Sequence, residues 1–90
     1  MTQEKFQFDL VSPEKSLVSE PMAHVVLPSV SGEMGVGVNH EKYLVSLKAG
    51  DIKLYRDSKT DVPEIISVGG GFADITGDSC TVLAETAVVV

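Results

Sequence analysis

Apolar side chains return at every second residue along this chain, and the three-to-four-residue spacing of an amphipathic helix does not recur. A period of two puts successive side chains on opposite faces of an extended strand, so the pattern points to β-structure. Phe6, Phe8 and Leu10 share one face, with Gln7 and Asp9 on the other. Ala23, Val25 and Leu27 alternate with Met22, His24 and Val26, so that strand is apolar on both faces. Tyr43, Val45 and Leu47 alternate with Leu44, Ser46 and Lys48, and Ile52 and Leu54 with Lys53 and Tyr55. Strands are also expected over Pro63–Val68, briefly over Phe72–Ile75, and over Cys80, Val82 and Ala84. Breaks are expected at Ser12-Pro13-Glu14, in a loop from Pro28 to Glu33, and at Ala49-Gly50-Asp51. Further breaks fall in a loose hairpin loop from Arg56 to Asp61, at Gly69-Gly70-Gly71 and at Thr76-Gly77-Asp78. Short strands with a turn signal roughly every 8–12 residues imply an all-β sandwich or barrel.

The chain has 90 residues, which makes residues 1–90 one small domain with a thin core. Seven Lys and Arg against thirteen Asp and Glu give a net charge of −6. Such a surface repels a phosphate backbone and lacks a basic run for anionic lipid, which argues against nucleic-acid and direct membrane binding. No apolar run approaches the ~20 residues of a membrane span. The start, Met1-Thr2-Gln3-Glu4-Lys5, lacks the apolar stretch of a secretory signal. A single cysteine, Cys80, excludes an internal disulfide. These features fit a soluble protein of a reducing compartment.

Catalytic candidates are sparse. His24 and His40 are not in a metal-ligand spacing, and His24 falls mid-strand between apolar neighbours. Cys80 opens a strand without a basic neighbour and reads as a buried, inert thiol. Gly69-Gly70-Gly71 precedes a strand and not a helix, so it reads as a backbone requirement and not a phosphate cradle. No catalytic residue, cofactor or metal ligand is assigned. The glycine-rich run Gly32–Gly37 is expected to be a tight or flexible loop that presents Glu33, Met34 and His40, either as a bland connection or as a contact surface.

Three ordered segments resemble a known family. Gly32-Glu33-Met34-Gly35 followed by His40 resembles its G-E-[LM]-G-x4-H loop. Leu47-Lys48-Ala49-Gly50 with Ile52 resembles its strand and turn. Gly70-Gly71-Phe72-Ala73-Asp74-Ile75, then Thr81-Val82-Leu83-Ala84-Glu85-Thr86-Ala87, is similar to its closing motifs. Phe8 to Glu14 fits the opening strand. The family is the epsilon subunit of the bacterial proton-translocating ATP synthase, and the resemblance spans about Phe6 to Ala87. The chain departs from it at Val38-Asn39 and Glu41-Lys42, where many members carry Pro-Gly and Ala-Pro.

The resemblance implies a flattened β-sandwich of about ten short strands. It implies a non-catalytic central-stalk subunit, one copy per complex, binding the gamma subunit and the c ring and coupling proton-driven rotation to ATP synthesis. Its place would be peripheral, on the cytoplasmic side of the bacterial inner membrane, reaching the membrane only through the c ring. The loop with Glu33, Met34, Gly35 and His40 is expected to face the c ring and gamma. Apolar residues left over from one small core, Met22, Val26 and Leu83, are expected to form a gamma-facing surface. Family members continue into a two-helix hairpin that inhibits ATP hydrolysis. This sequence stops three residues after Ala87, so that activity is not expected of it, and Val88 to Val90 are expected to pack on the sandwich or on gamma. An alternative is a lipoyl- or biotinyl-carrier sandwich with Lys59 at a hairpin tip, although the usual neighbours of the modified lysine are absent. A small enzyme built on Glu33 and His40 ranks lower still.

Overall fold

The computed structural model describes residues 5–38, 42–57 and 62–89. Within them the chain forms eight strands: β1 (Phe6–Val11), β2 (Ser16–Met22), β3 (His24–Ser29), β4 (Gly32–Val36), β5 (Tyr43–Tyr55), β6 (Glu64–Ile75), β7 (Ser79–Ala84) and β8 (Ala87–Val89). One sheet runs in the order β2-β1-β7-β6-β5-β3-β4, with β8 beside β6. All neighbours are antiparallel except β1 and β7, which pair in parallel with Phe8 opposite Cys80.

This single sheet folds over on itself because β5 and β6 belong to both layers. Their antiparallel pairing holds one register from Tyr43 opposite Ile75 to Leu54 opposite Glu64. The first half of β5 and the second half of β6 lie beside β7, β1 and β2. The second half of β5 lies beside β3 and β4, and the first half of β6 beside β8. Two layers of five strand segments result, the ten segments of a sandwich drawn from eight strands.

The sequence pattern had placed breaks at Ala49-Gly50-Asp51 and at the triple glycine. Neither is a break: the chain stays extended through both and turns a corner. What changes there is the buried set. In β5 the inward residues pass from Val45 and Leu47 to Ile52 and Leu54, and in β6 from Ile66 and Val68 to Ala73 and Ile75. Both strands step from even to odd spacing together, so their mutual register survives while the opposite side chains turn inward. Gly70 and Gly71 take φ of +111° and +143°, a region costly for side-chain-bearing residues. A Cβ on Gly71 would run into the Leu83 carbonyl and come within 2.9 Å of the Ala84 Cα. Beside the corner, the β7–β8 connection changes layer too. Glu85 N–H donates to the Gly70 carbonyl and Gly69 N–H to the Thr86 carbonyl, each at 3.0 Å, and the Thr86 side chain lies over Gly69. On β5, Gly50 leaves room for the Pro28 ring.

The core between the layers contains Phe6, Phe8 and Leu10 of β1, Val25 and Leu27 of β3, and the inward residues of β5, β6 and β7. Fully burying such a side chain contributes ~1.5–3 kcal/mol. The loop expected from Pro28 to Glu33 contracts to Val30-Ser31. Ser29 closes that turn, its Oγ donating to the Gly32 carbonyl at 2.6 Å and accepting from Ser31 N–H at 3.2 Å.

Candidate functional site

The outer face of the β2-β1-β7-β6-β5 layer carries three large apolar side chains that the core leaves out. Leu44 on β5 is 71% exposed, and Phe72 on β6 and Leu83 on β7 are each 54% exposed. Phe72 stands directly opposite Leu83 in the β6–β7 ladder. Leu44 reaches the same face one pair further along, opposite Asp74. Half-buried Val11, the β1 partner of Leu83, extends the row. Two adjoining hollows follow it. One, of about 440 Å³, is lined by Leu44, Phe72, Asp74, Thr81 and Leu83. The other, of about 380 Å³, includes Val11, Pro13, Phe72 and Leu83. A contiguous apolar strip across three neighbouring strands, rimmed by carboxylates such as Asp74 and Glu85, has the chemistry of a protein-docking face.

The three residues expected on a gamma-facing surface do not share one. Leu83 is on this strip. Val26 is half-buried on the opposite outer face, between Gly35 and Lys53 of its neighbours. Met22 is 0% exposed and sits in the core, so its expected place on an outer surface is corrected. The alternation of β2 explains this: Val18 and Met22 cover the core from the sheet edge, and the flanking polar residues face out. Leu44 and Phe72 were missed because the strip exists only once register sets β5, β6 and β7 side by side. The available signal was a large aromatic, Phe72, in the phase opposite to Ala73 and Ile75.

Glu33, Met34 and Gly35 were expected in a loop and instead lie in β4, paired to β3. Their glycines are tolerated because β4 is an edge strand and Gly35 gives space to His24, whose ring a Cβ there would meet at 3.1 Å. Glu33 points outward, 3.7 Å from Lys53 Nζ. Met34 packs against the core. His40 and Lys59 lie outside the described residues. The hairpin turn faces β5 across a cleft of about 510 Å³ that includes Val30, Glu33, Met34, Tyr43 and Leu44.

The groups that could support chemistry are dispersed. The His24 ring contacts Tyr55, centroids 5.7 Å apart. Burial pushes the Cys80 thiol from 9.0 up to about 12, helped by the charges of Asp74 and Asp9, so it is a poor nucleophile. No three His, Cys, Asp or Glu among the described residues group as a metal site. No helix among them is long and apolar enough to cross a membrane.

Fold and surface together define a small β-sandwich module with an apolar face fit for another protein. Residues 5–90 match the family model for the ATP synthase delta/epsilon chain, β-sandwich domain, and the chain belongs to that family. It is 49% identical over 84 residues to an ATP synthase epsilon chain of Rhodospirillum centenum, covering 93% of this chain and 58% of that one. To the epsilon chain of Rhizobium meliloti it is 45% identical over 85 residues, covering 94% and 62%. The chain thus spans about three-fifths of the length of these relatives. The fold also matches a chain in the Euglena gracilis mitochondrial ATP synthase OSCP/F1/c-ring structure, with TM-score 0.84, 23% identity, and coverage of 94% and 53%. A chain of the Tetrahymena thermophila mitochondrial ATP synthase central stalk and c ring matches with TM-score 0.79, 14% identity, and coverage of 99% and 69%.

Proposed function

We propose that this sandwich is a non-catalytic rotor module of an ATP synthase, one copy per complex, that couples proton-driven rotation to ATP synthesis. The Leu44–Phe72–Leu83 strip seats on the gamma subunit, and the β4 edge with Glu33, Met34 and Gly35, together with His40, faces the c ring. The module sits peripherally, on the cytoplasmic side of the membrane, and touches the bilayer only through that ring. The observation that carries the reading is the strip itself. Three large apolar side chains on adjoining strands, each more than half exposed, are stabilised when a partner removes them from water. Rotation also demands a body that does not shear, and a sheet whose central strands run unbroken through both layers resists shear.

The test is gel filtration of the chain mixed with the gamma subunit from the same source, with Phe72→Ser and Leu83→Ser variants alongside. A stoichiometric complex is expected for the natural sequence. Both variants should keep their fold and lose at least tenfold in affinity, as hot-spot truncations do. Full binding by both folded variants would remove the strip as the gamma site.

A further inference from the structure

The two ends of the sandwich are closed differently. At the corner, backbone passes continuously between layers in β5 and β6. At the opposite end, the β2–β3 connection crosses, with Ala23 N–H donating to the Tyr55 carbonyl at 2.9 Å. Edge strand β2 has β1 as its sole strand neighbour among the described residues. Arg56, just past the end of β5, reaches across to it. Its Nε and one terminal nitrogen donate to the two Glu20 carboxylate oxygens, each at 3.0 Å. That terminal nitrogen also donates to Glu64 of β6 at 2.6 Å. One guanidinium therefore joins the edge of one layer to the paired strands of the other. Beside it, Lys5 ahead of β1 pairs with Asp57 at 2.8 Å.

We propose that Arg56 is a latch that sets how readily β2 opens from the sandwich. A lone exposed ion pair has little leverage, but a planar fork held by two carboxylates from different strands acts as a network. Opening β2 costs the cover that Val18 and Met22 give the core, and it also bares the edge of β1 for pairing with another chain. The latch adds the loss of both Arg56–Glu20 hydrogen bonds to every such opening, while Glu64 keeps the guanidinium in place on the other layer. It therefore guards against strand exchange at the β2 edge, where a single residue, Ala23, links the two layers. The inference stands on the geometry of this end alone and is independent of the partner assignment.

Native-state hydrogen exchange on the full chain tests it, with Arg56→Met, Glu20→Gln, the double variant and Arg56→Lys. The expected result is a roughly threefold to fivefold loss of protection for β1–β2 ladder amides in each of the first two variants, with amides across the β5–β6 corner unchanged. The double variant should lose no more than either single one, since both remove the same contact. Arg56→Lys, which keeps charge and loses the fork, should fall between. Protection that is unchanged at β2, that falls equally everywhere, or that falls additively in the double variant would overturn the latch. Should Arg56→Met fail to fold, Glu20→Gln and Arg56→Lys decide by the same criteria.

Discussion

Three glycines at positive φ differ in one respect that turns the corner into a measurable quantity. Gly32 (φ +123°) has open space where a Cβ would go, and Gly70 (φ +111°) has only the Leu47 carbonyl at 3.5 Å. Gly71 (φ +143°) has the Leu83 carbonyl, the Ala84 Cα at 2.9 Å and the Leu83 carbonyl carbon at 3.0 Å. Alanine at Gly32 or Gly70 therefore brings backbone strain alone, of order 1–3 kcal/mol. Alanine at Gly71 brings the same strain and also forces β7 away from β6, an overpacking cost of about 1–3 kcal/mol more. A domain this size has a total stability of roughly 5–13 kcal/mol. Gly71→Ala is thus expected to remove about 2–6 kcal/mol of it, and Gly70→Ala clearly less. Urea unfolding followed by circular dichroism at 25 °C measures the three variants on one scale. In thermal melts the extra cost at Gly71 should appear as a further drop of about 4–8 °C per kcal/mol. Equal losses for Gly70→Ala and Gly71→Ala would show that close approach of β7 does not constrain the corner.

Met22→Ser should cost ~2–5 kcal/mol, because it leaves a cavity and a hydroxyl in the core, while Val26→Ser costs less; urea midpoints give the ranking. Stability should fall as pH rises above 9.0, because the unfolded thiol of Cys80 ionises there and the folded one not until about 12. The loss is about 1.4 kcal/mol at pH 10, and it should be absent from Cys80→Ala, so that it appears in the difference between the two proteins. Glu20 is held below its ordinary 4.5, chiefly by its hydrogen bond from Arg56, so its contribution is present above that pH and lost as pH falls through the folded value. The pair is part-exposed, so Glu20→Gln should cost under ~1 kcal/mol at pH 7 and progressively less as the pH falls through the folded value.

Fold class was legible because period-two alternation survives in every strand that faces the core. The corner was not, because glycine is ambiguous: the same Gly69-Gly70-Gly71 serves a turn or an extended chain changing its buried face. A discriminating signal was present in the parity of the apolar residues, Leu47 then Ile52 and Val68 then Ala73, each five apart. A step of five within an extended run marks a change of face. Glycine spacing misled again at Gly32–Gly37, where small residues at a sheet edge accommodate the His24 ring. The docking strip was half legible. Leu83 shows as an apolar residue in the outward phase, but Leu44 and Phe72 join it only through pairings between distant segments. Met22 was misplaced because a strand apolar on both faces does not declare which face is inside.

The parallel pairing of β1 with β7 has a consequence for how the chain comes into being. Phe8 meets Cys80 and Leu10 meets Val82, so β1 finds one of its two neighbours only after the roughly seventy residues between them have been made. A nascent chain emerging at about 5–20 residues per second therefore holds Phe6, Phe8 and Leu10 against β2 alone for several seconds. The sandwich cannot close progressively from its amino end; it must close once, late, when β7 threads between β1 and β6.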